Sequence, residues 1–431
     1  MSHIKRIRIR GGRLVDPSQG LDALLDVCLA DKRVVALGTA PDFQAEEEID
    51  ATGLVVCPGL VDLRASLREP GQEHKGTISS ETHAAAAGGI TTVCCGPDTL
   101  PVIDTPAVAE LIKVRADQAD KAWVLTLGAL TKGLAGEQIT EMAALQKAGC
   151  VGVSNGTKPV NNTLILRRAM EYAATFGIPV FLHPQDPWLA QGGCAHEGPV
   201  ATRLGLPGIP VAAEAVAVAR ALVLAEQEGV RIHFTLLSAA RSVEMVAQAQ
   251  ARGVAVTADV SMHQLHLTEL DIADFNAQCH VMPPLRSQRD RDALRRGVAN
   301  GVVGAICSDH QPHEADAKLA PFCETEPGIS SLETLLPLGL RLVEERLLDL
   351  SALIARLSWQ PAQILGIPFG TLRVGSRADV CVFDPTCHWQ LDAAQLVSQG
   401  HNTPFHGWEL RGRVKHTLME GKRVFDLAGL D

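Results

Sequence analysis

No stretch of this chain approaches the ~20 consecutive apolar residues that a membrane-spanning helix needs, so a helical membrane protein is excluded. The opening residues, Met1 to Arg6, carry no apolar core of the kind a secretory leader has, and a cytoplasmic protein is expected. Positive charge is not in excess: 39 Lys and Arg face 49 Asp and Glu, for a formal net charge of −10. Neither a nucleic acid nor an anionic membrane reached through bulk charge is an expected partner. Cysteine pairs at redox or metal spacing are missing too. The 11 cysteines are scattered with no C-x-x-C, which reads as reduced thiols serving as small buried hydrophobes. Repeats of about 20 to 50 residues and low-complexity segments are also absent.

What is present is an ordinary globular composition, 46% apolar and 20% charged over 431 residues, enough for a large core. The middle of the chain alternates short β-branched runs with longer Ala/Leu-rich amphipathic stretches, the pattern of a parallel sheet wrapped by helices. Eight such runs are read at residues 60–63, 91–95, 123–127, 150–154, 179–183, 232–236, 254–259 and 302–307. Helices are read between them, for example over 107–117, 212–227 and 242–251. Eight strand–helix units close a (β/α)8 TIM barrel, and this α/β architecture is the expected fold. Residues 4–56 and 370–431 alternate instead like antiparallel strands. The expected domains are a composite β-sandwich from 1–57 and 371–431, with the barrel over 58–370 inserted between its halves.

One motif dominates the barrel. Asp62, Arg68, Pro70 and Gly71 fall in a frame that resembles the D-x-H-x-H-x-R-x-P-G signature of the dihydroorotases, a branch of the metal-dependent amidohydrolases. Where that signature has its two histidines, this chain has Arg64 and Ser66. Segments 58–62, 87–93, 101–104, 205–210, 327–329, 332–334 and 402–405 extend the resemblance over nearly the whole chain. It implies a metallohydrolase barrel of the amidohydrolase type.

The resemblance also implies ligands at the C-terminal ends of the strands, where barrel enzymes place their chemistry. At the fourth strand a bridging carboxylate is expected, and the chain has the neutral Asn155, with Lys158 about three residues off register. At the fifth, His183 fits. At the sixth, Leu236 stands at the histidine position; at the eighth, Asp309 fits. Arg64, Ser66, Asn155 and Leu236 are thus lost-ligand positions, and His183 and Asp309 read as vestiges of the shell. A catalytic zinc needs about three protein ligands. It lowers the pKa of its water from about 15.7 to about 7, roughly 12 kcal/mol of activation. On this reading zinc and every other cofactor are absent, no residue is catalytic, and the chain is not an enzyme. A rebuilt one-metal site from His183, His233, His263 and Asp309, serving a divergent cyclic amidohydrolase, is the alternative.

The substrate-like pocket is mixed. Arg68 and His313 keep the family's positions for a substrate carboxylate and a second contact. Asp98 replaces an amide and Met282 replaces a polar residue. Arg64 places a fixed cation near the vacated metal position, where it is expected to offset Asp309. The resemblance further implies a partner, the catalytic chain of aspartate transcarbamoylase in pyrimidine biosynthesis, whose assembly or stability such a homologue supports. A homodimer is expected on general grounds.

Overall fold

A computed structural model describes residues 5–429. The first four and last two positions of the expected terminal domain lie outside the described residues.

The eight short apolar runs form eight parallel strands in chain order. They are β1 (Leu60–Asp62), β2 (Ile90–Cys95), β3 (Trp123–Ala129), β4 (Gly152–Ser154), β5 (Val180–Leu182), β6 (Ile232–Phe234), β7 (Val256–Ser261) and β8 (Ala305–Cys307). Every residue of β2 is buried, as befits a parallel strand covered on both faces. Closure between β8 and β1 runs just past the strand ends. Ala65 bridges His310, Ser66 N–H donates to the His310 carbonyl at 2.8 Å, and His310 N–H donates to the Arg64 carbonyl at 3.3 Å. The sheet is therefore stitched shut at the residues that carry the motif.

Several strands stop earlier than the apolar runs suggest. The residues after them turn away from extended geometry: Leu236 has φ 58° and Asp309 has φ 49°. Left-handed backbone at non-glycine residues is uncommon, and here it falls on two of the positions that the resemblance implies as ligand positions. The helices read at 107–117, 212–227 and 242–251 are present as Pro106–Ala119, Val211–Glu228 and Ala240–Ala251.

The barrel interior is packed. Val61, Leu63, Phe181, Leu236, Ala305 and Cys307 form one buried cluster with Ala362 and Leu365. The last two belong to the helix Trp359–Leu365, which plugs the N-terminal end of the strands. The other end is the mouth. Both termini build the remaining layers. A four-stranded sheet comes from residues 7–50, and a six-stranded sheet joins strands Arg13–Asp16, Leu21–Leu24 and Val55–Pro58 to Val380–Gln390, Glu409–Met419 and Lys422–Asp426. Ile9, Leu14, Val34, Val56, Val380 and Leu418 share the core between them.

One reading is corrected by the structure. The cysteines are not all free: Cys194 and Cys323 form a disulfide with Cα atoms 5.4 Å apart, joining two loops on the mouth side across 129 residues of sequence. Nine other cysteines are free, and eight of those are buried. Spacing offers no sign of this bond, because it is made by loops that only the closed barrel brings together.

Candidate active site at the barrel mouth

Arg64 lies just past β1, after Leu63, and is buried, with 7% of its surface exposed. Its Nη2 donates to Asp98 Oδ2 at 3.3 Å. The Nε is buried without a partner among the described residues, an uncommon state for a guanidinium nitrogen. Gly96 makes room for this side chain, since a Cβ there would lie 2.2 Å from Arg64 Nη1. Burial works against the Arg64 charge, but Asp98 and Asp309 outweigh it and hold the guanidinium firmly protonated. Desolvation pushes the Asp98 carboxyl up, but the Arg64 charge, a backbone hydrogen bond and the Arg68 charge together outweigh it, so the carboxyl sits below the usual range. The cation expected to offset Asp309 thus also pairs with the aspartate that replaced an amide.

Asp309 follows β8 and is 1% exposed. Burial raises its pKa to about 7, against the opposing pull of Arg64 and a hydrogen bond from Gln311 Nε2 at 3.0 Å. His183 follows β5. Burial, then the Arg64 charge, lowers its pKa to about 4, so it is neutral near pH 7. Its Nε2 lies 3.2 Å from Gln185 Oε1, and its Nδ1 is buried without a partner among the described residues.

The remaining positions are occupied structurally. Asn155 is turned into its own loop: its Oδ1 accepts from Thr131 Oγ1 at 2.6 Å and its Nδ2 donates to the Lys158 carbonyl at 2.9 Å. Leu236 fills the barrel interior. Ser66 lines a small cavity of about 30 Å³ with Arg68, Cys95 and Asp98. Met282 packs on Ala190, Ile209 and Ala213. Arg68, the expected carboxylate fork, spends its donors on the protein: the Pro312 carbonyl at 2.9 Å, Gln72 Oε1 at 3.2 Å and His313 Nε2 at 2.9 Å. Burial, Arg68 and Lys75 together lower the His313 pKa to about 3.

Two pairings are not evident from the sequence. His233 and Asp259 form a buried pair, Nε2 to Oδ2 at 2.9 Å, and Asp259 Oδ1 accepts from the Leu236 N–H at 2.7 Å. An aspartate inside an apolar strand was the available signal, because a buried charge requires a partner. Behind β8, His310 Nε2 faces Glu81 Oε2 at 2.8 Å with both side chains fully buried. Ser331 N–H donates to His310 Nδ1 at 3.0 Å, which fixes the proton on Nε2.

These residues do not fit a metal centre. His233 is committed to Asp259 and Thr257, and His263 lies 3.0 Å from Ser261 Oγ through its Nε2. Among the described residues no group of three or more His, Cys, Asp or Glu could hold a metal ion. The alternative set of His183, His233, His263 and Asp309 is not brought together.

The whole architecture is that of the cyclic-amide hydrolases. A solved L-hydantoinase (dihydropyrimidinase) from Arthrobacter aurescens superposes with a TM-score of 0.88 at 26% identity, over 98% of this chain and 96% of that one. In sequence, a family profile described as dihydro-orotase-like matches residues 53–242. A "dihydroorotase-like protein" of Pseudomonas aeruginosa is 55% identical over 96% of this chain and 98% of its own length. A "dihydroorotase" of Geobacter sp. is 46% identical over 97% and 98%. This chain belongs to the dihydroorotase-like family.

Two expectations are corrected by these relatives. The substituted motif implies no enzyme and no zinc. Yet relatives 43–46% identical along nearly its whole length bear the name of an enzyme, and its fold is shared with hydantoinases. Both belong with the metal-dependent class that the motifs resemble. The substituted ligand positions are this chain's own departures on that shared scaffold, since one fold hosts many site arrangements. No helix among the described residues is long and apolar enough to cross a membrane.

Proposed function

We propose that this protein is a divergent cyclic amidohydrolase of pyrimidine metabolism, acting in the cytoplasm on a ring amide of the dihydroorotate type at the barrel mouth. We further propose that it associates with the catalytic chain of aspartate transcarbamoylase. The observation that carries the reading is Asp309: a family-position carboxyl at the end of β8, buried beside Arg64, with its pKa raised to about 7 by burial. Such a group takes and gives protons near neutral pH, as general acid–base chemistry requires. Ring opening adds water to the ring carbonyl carbon, breaks the C–N bond and protonates the nitrogen. Asp309 is suited to accept the proton from water, and the fixed charge of Arg64 to steady the oxygen that becomes negative. Arg68 supplies the fork for a substrate carboxylate once it exchanges its Gln72 and His313 contacts.

The test is ring closure of carbamoyl aspartate and ring opening of dihydroorotate by the pure chain, with and without added zinc and with bound metal measured. Turnover above background that falls at least a hundredfold in Asp309→Asn is expected. No turnover under any condition would overturn the reading. For the partner, co-elution with the transcarbamoylase catalytic chain is expected, and separate elution removes that part alone.

A further inference from the structure

One sizeable cavity lies away from the mouth. A cleft of about 660 Å³ opens between the plug helix and the terminal sandwich, at the opposite end of the barrel. It is within the several-hundred Å³ range of small-molecule sites, whereas the two small cavities along the mouth measure about 30 Å³ each. Its lining carries four cations, Lys32, Arg33, Arg373 and Arg377, against two carboxylates, Asp31 and Glu420. That is a positive surface on a chain whose net charge is −10.

The cations are not equivalent. Lys32 and Arg377 both pair with Glu420, at 2.6 Å each. Arg33 and Arg373 make no ion pair among the described residues; Arg33 donates only to the Gly375 carbonyl, at 2.7 Å. Both are exposed. The backbone beneath them is firmly held, with Val34 N–H bonded to the Ser376 carbonyl at 3.0 Å and Gly375 N–H to the Val34 carbonyl at 2.8 Å. The two guanidiniums without a carboxylate partner therefore stand on adjacent, rigid segments from opposite ends of the chain. The aromatic wall divides similarly. Phe369 already lies under Arg377, but half-buried Trp359 has no ring or cation stacked on it among the described residues.

Two unpaired guanidiniums beside an unstacked indole offer a fork for phosphate oxygens and a face for a flat ring. We propose that this cleft binds a nucleoside triphosphate, with its phosphates on Arg33 and Arg373 and its base against Trp359. The proposal is independent of the chemistry at the mouth, which lies at the other end of the strands.

Calorimetry of the full chain with ATP, and separately with inorganic triphosphate, tests it. ATP is expected to bind, to weaken as salt rises, and to lose at least tenfold in affinity in the Arg33→Glu/Arg373→Glu variant. Both sites are exposed, so the variant should keep the wild-type melting midpoint. Trp359→Ala is expected to weaken ATP several-fold and leave inorganic triphosphate unchanged; Trp359→Phe should bind near wild type, which separates a lost stacking face from a disturbed helix. Absence of ATP binding, or equal affinity in the double Glu variant, would overturn the site. Triphosphate binding as tight as ATP would overturn the assignment of a nucleoside.

Discussion

Arg64 stands where the dihydroorotase frame has a histidine and Asp98 where it has an amide; in the fold their side chains meet at 3.3 Å. Either change alone would leave a charge in a mostly buried pocket without its complement. Together they form a pair, and Asp309 lies within reach of the same guanidinium's field. Removing the cation should therefore expose both carboxylates. Arg64→Met is expected to move the Asp309 titration upward from about 7, because burial then acts without the opposing Arg64 charge. Carboxyl-selective NMR reads this shift directly. At pH 8 the variant should lose on the order of 1–3 kcal/mol of stability, less than the 3–5 of a fully buried pair because Asp98 is about a third exposed. At pH 5, with Asp309 protonated, the loss should be smaller. An unmoved Asp309 titration would show that the guanidinium field does not reach it.

At the scale of elements, the plug helix Trp359–Leu365 performs two tasks. Ala362 and Leu365 close the barrel core, while Trp359 and Gln363 face the cleft on the other side. Leu365 is 4% exposed, so Leu365→Ala removes packed volume that the barrel cannot refill. A loss of about 2–5 kcal/mol in chemical denaturation is expected. A loss below about 1 kcal/mol would mean that the helix is not seated as described. The eight strands were legible because a parallel strand buried on both faces must read as an apolar run. The plug helix was not, because nothing in its sequence distinguishes a helix that closes a barrel from one that surrounds it. The motif positions were legible by register, yet their occupants' contacts were not. That Asn155 turns into its own loop, or that Arg68 is already engaged by Pro312, Gln72 and His313, depends on loops far apart in sequence. The His233–Asp259 pair was within reach of sequence reasoning, since a charged residue inside an apolar strand requires a partner. The Cys194–Cys323 bond was not.

The whole molecule stores an unusual set of opposed buried groups. Burial raises Asp62, Asp309 and Glu333 to about 7 and Asp379 to about 6. It lowers His183 and His280 to about 4, and His263, His266 and His313 to about 3. The carboxyls bind protons in the folded state at pH values where the unfolded chain has released them, so their contribution to stability falls as pH rises from about 4 through about 7. The histidines act in reverse. The unfolded chain protonates them below about 6.5 while the folded chain holds them neutral, so their contribution is lost as pH falls through that value. From pH 8 down to about 6.5 the raised carboxyls outnumber Lys318, which burial lowers to about 8 and which acts in the opposite sense, so stability should rise on acidification. Between about 6.5 and 4.5 the two sets oppose one another and the curve should be nearly flat. Below about 4 the gain from the raised carboxyls is complete, the histidines continue, and carboxylates held below their usual range, such as Asp98 and Glu81, add to the loss, so stability should fall. Melting midpoints at pH 8, 6 and 4 are expected to rank the middle value highest. A midpoint that climbs steadily to pH 8 would mean that the buried carboxyls are ionised in the folded state at no cost, and the proton-exchanging role assigned to Asp309 would lose its basis with them.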